Sequence, residues 1–108
     1  MLSKKFICAT REFATIYNSV NAPCFRRTFT LDEDVSCAEI TVSGLGFYEI
    51  YINGQNITKG LLAPYISNSD DIVYFDKYDV TDLLTEGENV IGAIIGNGMQ
   101  NCPGGEVW

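Results

Sequence analysis

An antiparallel β-sandwich is the fold this sequence predicts, and three observations predict it. Residues 47–52, Phe-Tyr-Glu-Ile-Tyr-Ile, alternate strictly, with Phe47, Glu49 and Tyr51 on one face and Tyr48, Ile50 and Ile52 on the other, the period of a strand. They run into Asn53-Gly54, the dipeptide that best tolerates two successive positive φ angles and so marks a type I′ hairpin, with residues 55–58 as its return segment. About seven short apolar or alternating runs recur along the chain with no long helical pattern between them, the spacing of an all-β sandwich.

In chain order, residues 5–9 read as a short first strand, and residues 10–22 as a connector with at most one helical turn, since Pro23 follows an Asn/Ser-rich stretch. Residues 24–31 alternate, with Phe25, Arg27, Phe29 and Leu31 on one side and Arg26, Thr28 and Thr30 on the other. Arg27 is the exception on the apolar side. Asp32-Glu33-Asp34 reads as a solvated turn rather than an acidic ligand site. Residues 37–43 form the next strand, with Ala38, Ile40 and Val42 inward. Gly44-Leu45-Gly46 suits a tight connection, not a phosphate loop, because neither a lysine nor a helix start follows.

Residues 59–71 make the longest loop. Residues 72–78 read as a strand, Asp79 or Thr81 as the cap of one helical turn, and residues 89–95 as a nearly continuous apolar strand, either buried on both faces or at the sheet centre. Gly105-Glu106-Val107-Trp108 reads as the entry to a further strand, so the 108 residues are expected to form one sandwich domain that is a fragment of a longer protein.

Composition excludes several function classes. A net charge of −7 with scattered basic residues gives no concentrated positive surface for nucleic acid. The absence of histidine removes the commonest general base and zinc ligand. Cys8, Cys24, Cys37 and Cys102 form no Cys-x-x-Cys pair, and two sit in apparent strands among apolar neighbours, so buried free thiols are expected over disulfides. No apolar run has the length of a signal peptide or membrane span, which makes a cytoplasmic chain without membrane contact the expectation.

Glycosidases commonly use two carboxylates about the scissile bond. Asp70-Asp71 and Glu86 with Glu88 supply carboxylates, but in a loop and a turn where solvated side chains are the simpler reading, so no catalytic residue is assigned. Sugar binding needs an aromatic face and a few amides or carboxylates. Tyr65, Asn68 and Asp70 in the long loop, with Asn97 and Gln100 in the glycine-rich segment after residue 95, are the candidate carbohydrate-binding residues. Asp70 and Asp71 are candidate ligands for calcium, a hard ion that prefers oxygen.

Four motifs stand in order along residues 6–98: Tyr-Ile-Asn-Gly at 51–54, Leu-Ala-Pro at 62–64, Tyr-Asp-Val-Thr-Asp-Leu-Leu at 78–84 followed by Gly-Glu-Asn at 87–89, and Gly-Asn-Gly at 96–98. Together they resemble the N-terminal accessory domain of bacterial alpha-L-rhamnosidases. The resemblance implies a jelly-roll sandwich similar to galactose-binding domains, attached to a separate catalytic domain of the same polypeptide that removes rhamnose from glycosides. It also implies a non-catalytic part in recognising rhamnose-containing carbohydrate, in some relatives with calcium. The chain departs from the family pattern at Met99-Gln100, where an aromatic pair is usual, and at Ser69-Asp70-Asp71, of which only Asp70 matches. Two alternatives remain: a purely structural domain packed against the catalytic domain, and the sugar-binding domain of a beta-galactosidase-type enzyme.

Overall fold

The computed structural model describes residues 5–12, 15, 17–65 and 72–96. Among them are six strands, β1 (Cys24–Leu31), β2 (Glu39–Val42), β3 (Phe47–Ile52), β4 (Gln55–Asn56), β5 (Asp76–Asp79) and β6 (Gly87–Gly96), with one 3-10 turn at Thr81–Leu83. They form two antiparallel sheets, β1-β6-β3-β4 and β2-β5, packed as a β-sandwich.

The core lies between the sheets, and the period-two pattern of β3 creates it. Tyr48, Ile50 and Ile52 are buried while the intervening residues are half-buried on the other face. Across from them stand Tyr78 of β5 with Ile40 and Val42 of β2, and beside them Ile91, Ala93 and Ile95 of β6. Burying side chains of this size contributes about 1.5–3 kcal/mol each. β1 lies outside this cluster: two strands cannot cover four. Its inward side chains Phe25, Phe29 and Leu31 are therefore only half-buried, and Arg27, aligned with them opposite Ile91, stays exposed.

The hairpin is as the dipeptide predicts. Asn53 and Gly54 have φ of 47° and 82°, the pair of positive values a type I′ turn requires. The return strand β4 is shorter than expected, two residues paired with Tyr51 and Ile52. The N-cap of the 3-10 turn is Val80, without a side-chain bond, rather than Asp79 or Thr81; Asp79, just before it, accepts through Oδ1 from Thr81 N at 3.0 Å and Thr81 Oγ1 at 2.7 Å. Those bonds hold its carboxyl below the ordinary value of 3.8.

Three expectations are corrected. Residues 5–9 form no strand, having no neighbouring strand to pair with among the described residues. Residues 72–75 do not extend β5; Ile72, Tyr74 and Phe75 are exposed, and pairing with β2 begins only at Asp76, opposite Val42. Cys24 and Cys37 are free thiols, as is Cys8, but all three are exposed rather than buried. Cys24 belongs to the outward set of β1, and Cys37 precedes β2.

One polar side chain is wholly enclosed. Asn89, on β6, is 0% exposed, and every hydrogen-bonding atom it carries is used. Nδ2 donates to Thr85 O (2.7 Å) and Gly87 O (3.1 Å), while Oδ1 accepts from Thr85 N (3.0 Å) and from Asn53 Nδ2 (2.9 Å). Asn53 in turn donates to Leu83 O at 2.8 Å and accepts from Val90 N at 2.8 Å. Leaving buried partners unsatisfied is costlier than any one bond is stabilising. Asn89→Ala is therefore expected to lower stability by about 3 kcal/mol, read as a fall in the urea midpoint at unchanged slope.

Candidate functional site

The longest loop leaves the hairpin after Asn56, and its first half is tied down residue by residue. Ile57 N donates to Ile50 O at 2.9 Å, and Thr58 Oγ1 accepts from Ile50 N at 2.8 Å. Lys59 folds back over β5: Nζ lies 4.9 Å from the Tyr78 ring centre and donates to Lys77 O at 2.8 Å, while its backbone N donates to Tyr78 Oη at 3.3 Å. Ala63 is buried and its carbonyl accepts from Tyr48 N at 2.9 Å.

Beneath this loop runs a chain of hydroxyls. Tyr48, 3% exposed, donates to Asp76 Oδ2 at 2.5 Å, and its oxygen lies 3.0 Å from Tyr78 Oη. Because Tyr48 has one proton and Asp76 takes it, Tyr78 is the donor between the two phenols. Burial, then the bond to Asp76, then the bond to Tyr78 hold the Tyr48 phenol far above its ordinary range. Gly44 packs on the same ring, since a Cβ there would lie 2.9 Å from Tyr48 Cδ1.

Leu61, Leu62 and Tyr65 of this loop turn their side chains to solvent. Tyr65 is 84% exposed, Leu61 92% and Leu62 68%. Of the sequence-predicted site residues, Tyr65 is thus placed on an anchored loop with its ring free. Asn68, Asp70, Asp71, Asn97 and Gln100 lie outside the described residues, so neither their meeting with Tyr65 nor a metal geometry at Asp70 and Asp71 is assigned. Glu86 and Glu88 are exposed. Among the described residues there is no cluster of three potential metal-binding side chains, and no helix long and apolar enough to cross a membrane.

Sequence reasoning missed two polar arrangements. One is the Asn53 to Asn89 contact. The other is on the outward face of β3, where Tyr51 Oη donates to Glu49 Oε2 at 2.7 Å; its signal was present in the sequence, since residues two apart on a strand share a face.

Residues 33–106 match the family described as alpha-L-rhamnosidase N-terminal domain. An alpha-L-rhamnosidase of Formosa agariphila is 40% identical over 78 residues, covering 72% of this chain and 8% of the relative. One of Alteromonas sp. is 32% identical over 83 residues, covering 75% and 9%. Among solved structures, an alpha-L-rhamnosidase from Dictyoglumus thermophilum is similar with a TM-score of 0.69 and 39% identity, over 71% of this chain and 9% of that one. A Streptomyces avermitilis alpha-L-rhamnosidase complexed with L-rhamnose has a TM-score of 0.65 and 32% identity, over 68% and 7%. The chain spans less than a tenth of the length of each of these relatives.

For the anchored half of the loop, Tyr48→Phe is expected to lower stability by about 1–3 kcal/mol at neutral pH by leaving Asp76 unpaired. A phenol whose folded pKa is raised contributes stability fully present below its unfolded pKa, near 10, and lost as pH rises beyond it. The difference between wild type and variant should therefore be constant from pH 7 to 9 and shrink above pH 10, measured by urea unfolding at each pH.

Proposed function

The chain belongs to the alpha-L-rhamnosidase N-terminal domain family, and from that premise we propose that it is a non-catalytic domain of a larger alpha-L-rhamnosidase, where it assists recognition of rhamnose-containing glycosides. The family match over residues 33–106 carries this reading. The exposed Tyr65 ring, two residues beyond the Ala63 anchor, supports it, because an exposed aromatic face can stack on the apolar side of a sugar. Asn68, Asp70, Asn97 and Gln100 bring the amide and carboxylate groups that would meet ring hydroxyls. Calcium is part of the proposal only through Asp70 and Asp71, whose oxygens suit a hard cation.

A second reading is favoured by a separate observation. Leu61, Leu62, Ile72, Tyr74 and Phe75 are all exposed at the two ends of the long loop, large apolar side chains of the kind a packed domain covers. In this reading the domain packs against the catalytic domain of the same polypeptide and does not touch substrate.

An amide NMR titration with L-rhamnose, with and without calcium, separates the two. The recognition reading expects a shift at Tyr65 with saturation in the millimolar range, and about fivefold weaker binding in Tyr65→Ala. Calcium should tighten binding in the wild type and not in Asp70→Ala. No shift at Tyr65 up to tens of millimolar sugar would remove recognition through this loop and favour the packing reading.

A further inference from the structure

The outward face of the four-stranded sheet has a gap at its centre. Register places Arg26 of β1, Gly92 of β6 and Tyr51 of β3 in one row, with Asn56 of β4 beyond. Gly92 is the member of this row without a side chain, and its backbone does not require that: its φ is not positive. Nor does packing require it. A Cβ at Gly92 would meet only Phe25 O at 3.7 Å and Tyr51 Cβ at 3.9 Å, ordinary contacts that a side chain could make without strain. Glycine inside a strand costs stability and lacks a side chain to pack, and it often marks a place where a ligand comes close to the backbone.

The walls of the gap have matched chemistry. Strands lie about 4.8 Å apart, so the Cα atoms of Arg26 and Tyr51 stand roughly 9.6 Å from each other across the glycine, room for one sugar ring. Tyr51 is fixed by its 2.7 Å bond to Glu49, so its ring is held in place before any ligand arrives. Arg26 is exposed and makes no ion pair or hydrogen bond among the described residues. The slot therefore offers an aromatic wall, a carboxylate with unused lone pairs and a free guanidinium, beside a bare backbone floor.

We propose that Arg26, Glu49, Tyr51 and Gly92 form a second carbohydrate site on the sheet face, taking one pyranose ring of a neutral saccharide with its apolar side toward Tyr51 and its hydroxyls shared between Glu49 and Arg26. This site deepens the carbohydrate reading above and rests on it, but uses none of the loop residues.

The test is an amide NMR titration of the 108-residue chain with methyl α-L-rhamnopyranoside, in the wild type, Gly92→Val and Tyr65→Ala. Valine suits a strand, and a Cβ at this position meets only ordinary contacts, so Gly92→Val should keep the dispersed spectrum and a midpoint of urea unfolding close to that of the wild type. The expected result is shifts at Glu49, Tyr51 and Gly92 in wild type and in Tyr65→Ala, and binding at this face weakened about tenfold or more in Gly92→Val. Shifts confined to Tyr65 would overturn the sheet-face site while leaving the loop reading intact. Shifts at the sheet face without any at Tyr65 would do the reverse. Face shifts that persist unchanged in Gly92→Val, or that appear only with a uronate such as galacturonate, would also overturn the proposal.

Discussion

The fold depends on one contact between two asparagines. Asn53 ends β3 and turns the chain; Asn89 opens the central run of β6, and the Nδ2 of the first donates to the Oδ1 of the second at 2.9 Å. Through its remaining bonds Asn53 also reaches Leu83 and Val90, and Asn89 reaches Thr85 and Gly87. The hairpin, the end of the 3-10 turn and the start of β6 are thus fixed by two side chains. Register follows, because a slip of one residue between β3 and β6 would send Tyr48, Ile50 and Ile52 to the outer face. An amide suits the enclosed position of Asn89: it supplies two donors and an acceptor to the backbone of Thr85 and Gly87.

With register fixed, the two faces of β3 take different work. The inner face holds the Tyr48, Asp76 and Tyr78 hydroxyl chain that underlies the long loop, so the buried polar atoms of the core support a surface element. Outward, the same strand presents Tyr51 bonded to Glu49 beside the bare backbone of Gly92. The loop and the sheet face are both positioned by β3 while sharing no side chain. A single alternating strand of six residues therefore links core, loop and outer surface.

The parts legible in the sequence were those that follow from local periodicity. β3, its Asn53-Gly54 turn, the inward and outward sets of β1 and the central placement of β6 could all be read from alternation and turn chemistry. Alternation names a face, however, and not a partner. Residues 72–75 have strand composition, yet their side chains are exposed and pairing with β2 starts at Asp76. Asn89 reads as the polar first residue of an apolar strand, and its role appears only when Asn53, 36 residues earlier, is folded against it. For the loop site, residue type was legible while placement was not: Tyr65 is the one candidate among the described residues, and the Lys59 and Ala63 contacts that tie down the chain before it join residues no local pattern pairs.

A double-mutant cycle between Asn53→Gly and Asn89→Ala tests the dependence on this contact most directly. Glycine keeps the positive φ of the turn, so the first change removes the side chain without breaking the hairpin. The account predicts that the two losses in unfolding free energy fall short of additivity by about 1–2 kcal/mol, because either change alone dismantles the shared bond. Losses that add to within about 0.5 kcal/mol would show the two asparagines to be independent and would contradict it.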